Sequence, residues 1–328
     1  MRGAARAITA NTSTPHPASC RLKFVWPLPY IAARVYTQAN PKESLVQPQD
    51  LVSGAVRIVS LPEVCLRISE MLDDPRVSAA DLGKVISQDT GLTARLLKIV
   101  NSAFYGFPSR IETVTRAVTV IGLRELRSMV LAASVVEAFS TLPTKVLDIV
   151  AFWRHSVYCG VVAQLLAEQC HVLHRERLFV AGLLHDIGKL LIVNRLPERA
   201  EEISRLVLEE GLLQYEAERQ VLGFDHAEVG GALLDSWKMP ETLRQAVRWH
   251  HEPALATEAT LEAALIHIAN IMSDMAEQEI DAERSVQPID AAAWRISGLD
   301  ESVMEPVFQE AGPQFTEALE LILPRGRH

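Results

Sequence analysis

Aromatic residues make up only 6% of this 328-residue chain. Stacking platforms of the kind that hold single-stranded nucleic acid are therefore not expected. Positive charge is also short. The formal net charge is −9, where a protein that works by neutralising phosphates carries a basic surface, so a nucleic-acid partner is not expected. The four cysteines, Cys20, Cys65, Cys159 and Cys170, form no CxxC pair, which excludes a zinc ribbon and argues for reduced thiols in a cytoplasmic protein. No uninterrupted apolar run reaches the roughly 18 residues of a membrane span, and no membrane partner is expected. Alternating β-branched runs and Asn-Gly hairpin turns are missing, so β-sheet architecture is not expected either.

Acid is absent from the first 42 residues, while Arg2, Arg6, Arg21, Lys23, Arg34 and Lys42 are basic. Pro15, Pro17, Pro27, Pro29 and Pro41 break regular structure there, and the short apolar stretch 24–33 contains two of them, which suits neither a signal peptide nor an amphipathic helix. Residues 1–45 read as a disordered leader outside the fold.

From about residue 48 helical signals dominate. Leu61-Pro62-Glu63 opens a helix with proline in its first turn. Ser78-Ala79-Ala80-Asp81 is a capping box with Asp in place of Glu, ahead of Leu82, Val85 and Ile86. Leu92, Leu96, Leu97 and Val100 continue at helical spacing. Asn101–Pro108 reads as an aromatic turn. Asn101 and Arg110 flank it, either as a partner-contact surface or, the preferred reading, as a capped helix end. Val114, Ala117, Val118 and Ile121 mark a further helix, and Gly122 separates it from a long one ending at Phe139. Leu142-Pro143 marks a boundary. Beyond it the pattern predicts helices over 144–170, 175–194, 198–210, 213–222, 227–237, 241–250, 259–277 and 301–322. The chain is expected to be all-α, with helical subdomains over 48–142 and 143–275 and a helical extension over 276–328.

Eight of the ten histidines lie between His155 and His267. The ordered set is His155, His185-Asp186 with Gly188 and Lys189, His226 and His250-His251, and His267 follows it. Imidazole nitrogens and carboxylate oxygens suit Fe, Mn or Zn. A carboxylate beside a histidine can bridge two metals, and two metals can clamp both oxygens of a phosphoester displacement. Lys189, four residues after His185, is expected on the same helix side, facing phosphate as a point charge. Gly188 would allow a helix or ligand to approach closely. His171 and His174 read as ordinary surface or core residues.

Residues 155–270 resemble the HD phosphohydrolase superfamily, and its HD-GYP branch in particular. That resemblance implies metal-ligand positions at His155, His185, Asp186, His226, His250 and His251, and a phosphate-facing position at Lys189. Two departures count against hydrolysis. The superfamily's closing Asp is Asn270 here, with one carbonyl oxygen and no charge; Asp274, one turn on, would need a shifted ligand position. The Gly-Tyr-Pro element is absent, since Leu190-Leu191-Ile192 follows Lys189. The N-terminal half narrows the resemblance further. Leu61-Pro62-Glu63, the segment Ile86–Leu92, the segment Leu97–Gly106 and the run Val118–Gly122 are similar to the HDOD (HD-related output domain) family. That resemblance spans about residues 50–275 and implies an all-α bacterial signalling module, the C-terminal subdomain having an HD-type fold. The expected role is regulatory, exerted in trans on a signalling partner, with catalysis disfavoured. A metal-dependent phosphohydrolase acting on a nucleotide or cyclic dinucleotide is the alternative. A nucleotide ligand and a homodimer both stay open.

Overall fold

Ser78 accepts a hydrogen bond from the Asp81 amide at 3.2 Å, and the Asp81 carboxylate accepts from the Ser78 amide at 3.2 Å, so the expected capping box is present. The computed structural model describes residues 46–54, 67–68, 70–71, 74, 76–101, 107, 109–139, 146–278 and 287–322. All of them fall in one unit, Leu45–His328. The expected leader, the 61–63 helix start, residues 102–106 and 108 of the aromatic turn and the 142–143 boundary lie outside the described residues.

Among the described residues, five α-helices with both ends defined come first: α1 (Pro48–Gly54), α2 (Ala79–Ile86), α3 (Thr90–Val100), α4 (Val114–Ile121) and α5 (Leu123–Phe139). Ten follow: α6 (Ile149–Gln169), α7 (Glu176–Leu184), α8 (Ile187–Arg195), α9 (Pro197–Glu210), α10 (Gln214–Leu222), α11 (His226–Ser236), α12 (Glu241–Arg248), α13 (Thr260–Gln278), α14 (Ala291–Ser297) and α15 (Met304–Ile322). No strand occurs among the described residues. The starts follow side-chain chemistry: Asp89, Thr113, Asp148, Asp225 and Asp290 each accept a bond from the backbone of the first helical turn, filling amides that would otherwise lack a partner. α14 went unpredicted because its seven residues are too short for periodicity to register.

Asn101 makes the bonds expected of a capped helix end. Its side-chain nitrogen donates to the carbonyls of Leu97 and Ile111, both at 2.7 Å, and its oxygen accepts from the Ile111 amide at 2.6 Å. It caps α3 and closes the intervening loop on itself. Asn101→Ala is expected to lower stability by about 1–2 kcal/mol, since three bonds are lost and a backbone pair is left to solvent; a denaturant midpoint equal to wild type would contradict this.

The centre of the fold is α6. Its length and mean hydropathy of 1.3 match a membrane-crossing helix, but 72% of that apolar window is buried within the fold. It packs against α7, α13 and α15. The crossing with α7 is tight: a Cβ on Gly182 would stand 2.6 Å from the Cα of Gly160. α15 continues past Pro313 and touches both α6 and α3. Its Phe315 ring meets Tyr158 edge-on at 5.3 Å and lies under the Arg154 guanidinium at 5.3 Å, while Lys98 donates to the Glu320 carbonyl at 2.8 Å. Upstream of all this in sequence, α1 packs on α11 and α8.

The single helix expected over 175–194 is two. The chain bends at His185-Asp186, where Asp186 leaves helical geometry at φ −96° and ψ 3°, and α8 restarts at Ile187. The Asp186 side chain caps nothing; it turns inward instead.

Candidate metal centre

Five parts of the fold supply the centre. His155 projects from α6. His185 and Asp186 form the bend between α7 and α8. His226 is the first residue of α11, placed there by the reciprocal Asp225–Glu228 capping box. α12 ends at Arg248, so His250 and His251 occupy the turn that follows. Asn270 lies on α13. All seven expected ligand residues are therefore brought together, and His185, Asp186, His226 and His250 are almost completely buried.

Four of the imidazoles, His155, His185, His226 and His250, share one design. Each Nδ1 is tied outward: His155 to Glu277 at 3.0 Å, His185 to the Gly182 carbonyl at 2.7 Å, His226 to Glu218 at 2.6 Å and His250 to the Val247 carbonyl at 2.7 Å. A ring anchored by an Nδ1–H bond presents Nε2 as the available donor atom, the arrangement that orients metal-binding histidines. The four Nε2 atoms face Asp186. Its Oδ1 lies 3.0 Å from His226, 3.4 Å from His185 and 4.0 Å from His250, and its Oδ2 lies 3.8 Å from His155. His251 reaches His226 Nε2 at 2.9 Å and stacks on Tyr215 at 4.2 Å. The Asn270 amide oxygen stands 3.0 Å from His155 Nε2 and 3.2 Å from His185 Nε2.

A cation fits this donor set. Asp186 Oδ1, His250 Nε2 and His251 Nδ1 are buried with no aligned hydrogen bond. Lone pairs left facing one another away from water carry a desolvation cost that an ion would relieve. Two trios flank Asp186, His155–His185–Asp186 and His226–His250–His251, and each offers ligand atoms lying within 4.8 Å of one another.

Protonation agrees with that arrangement. Burial pushes His185 down to about 4 against the pull of Asp186, and burial with neighbouring imidazoles holds His250 and His251 well below the ordinary histidine value. These rings are neutral, as ligands must be. His226 differs. Burial alone would lower it, but Glu218 and then Asp186 outweigh burial and raise it to about 9. Burial would likewise raise the Asp186 carboxyl, yet His185, Lys189 and His226 hold it well below the carboxylate range.

A pH dependence of the metal-free protein follows. Folding lowers the proton affinity of His185 from 6.5 to about 4, so its contribution is complete above 6.5 and fades as pH falls toward 4. Folding raises His226 from 6.5 to about 9, so its contribution is complete below 6.5 and fades as pH rises through 9. The melting temperature of chelator-treated protein is expected to peak near neutrality and fall on both sides. Glu218→Gln should flatten the alkaline arm; melting curves in which that variant keeps the wild-type alkaline fall would contradict the assignment.

Lys189 needs correction. The bend at Asp186 puts it on α8 rather than on the helix that carries His185, so the shared helix side is lost. It donates to Asp186 Oδ2 at 2.6 Å and faces the adjoining cleft. Gly188 does allow close approach: a Cβ there would lie 2.0 Å from the His226 carbonyl oxygen. His267 stays outside the ligand set, since its Nδ1 donates to the His250 carbonyl at 2.7 Å and its Nε2 accepts from the Asp290 amide at 3.0 Å. His171 and His174 are exposed, as expected.

Sequence reasoning missed Glu218, Glu277 and Tyr215. Glu277 had a signal, for Asn270, Asp274 and Glu277 fall at i, i+4 and i+7 on one face of α13. Glu218 had none, because a buried acid on a largely polar helix looks like a solvated one.

Comparison with known proteins yields a family model, the HDOD domain, matching residues 58–253. An uncharacterized protein of Treponema pallidum is 29% identical over 203 residues, covering 61% of this chain; the chain spans only 39% of that relative's length. Among solved structures, a protein of Shewanella amazonensis described as a candidate phosphohydrolase gives a TM-score of 0.63 at 26% identity, over 83% of this chain and 98% of that one. An HDOD domain protein of unknown function from Geobacter sulfurreducens gives 0.61 at 26% identity, over 84% and 97%. A candidate signal transduction protein of Marinobacter aquaeolei shares the fold, with a TM-score of 0.62 at 21% identity over 82% and 60%.

Proposed function

Because the chain belongs to the HDOD domain family, we propose that it is a signalling output module whose HD-type core holds a divalent metal ion and which acts in trans on a protein partner. The observation that carries this reading is the charge balance around Asp186. Among the described residues it is the one carboxylate within 4.0 Å of all four inward Nε2 atoms, and Lys189 already pairs with it. Asn270 adds an oxygen but no charge. A clamp of two dications about 3.5–4 Å apart needs several anionic ligands to offset their repulsion. One paired carboxylate suits a single ion.

His155, His185, Asp186, His226, His250 and His251 would hold that ion, with Asn270 as a neutral oxygen donor. A bound divalent ion would supply Lewis acidity to an oxygen ligand. The chain's own groups set the conditions for it. Glu218 and Glu277 fix two of the rings, and Lys189 limits the negative charge of Asp186.

One specific observation favours a second reading, a metal-dependent phosphohydrolase. Asp274 and Glu277 form a further trio with His155, with ligand atoms again within 4.8 Å of one another, and could hold a second ion in place of the missing Asp. Metal analysis of anaerobically purified protein, paired with phosphomonoester and phosphodiester assays, separates the two. The signalling reading expects about one ion per chain, a higher melting temperature with added Mn, Fe or Zn, and no turnover. Hydrolysis at the ordinary enzymatic scale of about 1 per second or faster would overturn it, as would an apo protein indifferent to all three metals.

A further inference from the structure

We propose that the cleft leading to the metal centre binds a small molecule with one oxyanionic head and an extended apolar body. The inference deepens the signalling reading by giving that site a ligand class, and rests on it to that extent. The cleft has a volume of about 670 Å³, within the range of small-molecule sites. Its floor is polar and carries His226, His251, Asn270 and Asp274, with Lys189 beside them. Its walls are not. α8 and α9 supply Ile192, Val193, Ile203 and Val207 on one side, and Val146 and Leu147 stand just ahead of α6. The apolar wall runs out to the lip, where Leu208 is 83% exposed.

Charge narrows the ligand further. Among the described lining residues Lys189 is the sole lysine or arginine, and Glu218 and Asp274 are acidic. A cyclic dinucleotide brings two phosphates and two base edges. The lining offers one ammonium for the former, and away from the metal centre little beyond Ser204, Gln214 and Gln287 for the latter, while the Tyr215 ring is stacked on His251. One head group at Lys189 and the metal centre, with a hydrocarbon body along α9, uses the single ammonium and the apolar wall together.

Alkyl phosphates test this on the full chain, by calorimetry below the micelle concentration. Each buried methylene strengthens binding by about three- to fourfold. Octyl phosphate is therefore expected to bind at least about tenfold tighter than butyl phosphate, allowing for partial burial of the four added methylenes. Lys189→Gln should weaken both phosphates alike. Val207→Asp, and the exposed Leu208→Asp should the former fail to fold, should erase the chain-length dependence. Equal affinity for the two phosphates, or tighter binding of a cyclic dinucleotide, overturns the proposal. Chelator-stripped protein that still prefers octyl phosphate keeps the proposal and removes the metal from the site. Metal-loaded protein that ignores octyl phosphate does the reverse.

Discussion

Asp186→Ala is expected to strip metal from the centre, lowering affinity by more than about a hundredfold, the upper range for losing a mere outer-shell partner. Asp186 is the hub: it faces every inward Nε2 and supplies the carboxylate of its trio. Its removal also strands Lys189 and His226, both of which pair with it. Breaking one side of a buried ion pair costs about 3–5 kcal/mol, so the alanine variant should melt earlier even without metal. Asp186→Asn separates the two effects. It preserves volume and one oxygen, and should recover part of the packing while still failing to retain metal. Elemental analysis and melting curves with and without added metal provide the check. Metal content equal to wild type in the alanine variant would remove the carboxylate from the site.

Gly188→Val is expected to be the most damaging substitution to packing. The neighbour that a Cβ would strike at 2.0 Å is the His226 carbonyl, with the Gly230 amide next at 2.9 Å. Backbone cannot swing aside as a flexible side chain can, so α8 and α11 must separate. The cost should reach about 3 kcal/mol or more, at or beyond the upper range for overpacking. Because the struck atom belongs to His226, metal retention should fall with stability. Gly312→Ala is the control. It lies within α15 with open space at the Cβ position, and alanine there should gain up to about 1 kcal/mol from helix propensity. Urea midpoints decide the matter. A Gly188→Val protein as stable as wild type would show that the α8–α11 approach can relax.

The order of residues along the chain made part of this legible. The Ser78 box, the Gly122 break and the long helix to Phe139 were readable because each depends on neighbours a few positions away. The expected ligand positions at His155, His185-Asp186, His226 and His250-His251 came from the family resemblance that this ordered set carries, and the fold brings them together. What stayed hidden depends on partners far away in sequence. The bend at Asp186 leaves no mark in an apolar stretch that would equally suit one unbroken helix. Glu218 becomes visible only once α10 lies against His226, and the bond of Lys189 to Asp186 only once that bend exists. Asn270 was legible as a substitution, but not its position between two imidazoles, which no spacing encodes.

The docking of α15 has a mechanical consequence. Phe315 is gripped by Arg154 and Tyr158, the residues on either side of His155 along α6, while the far end of the same helix is tethered to Lys98 on α3. The helix thus behaves as a strut joined at one end to the early part of the chain and at the other to a histidine-bearing lever. A displacement of α15 would therefore disturb α6 at Arg154, one residue before His155, and at Tyr158, three residues after it.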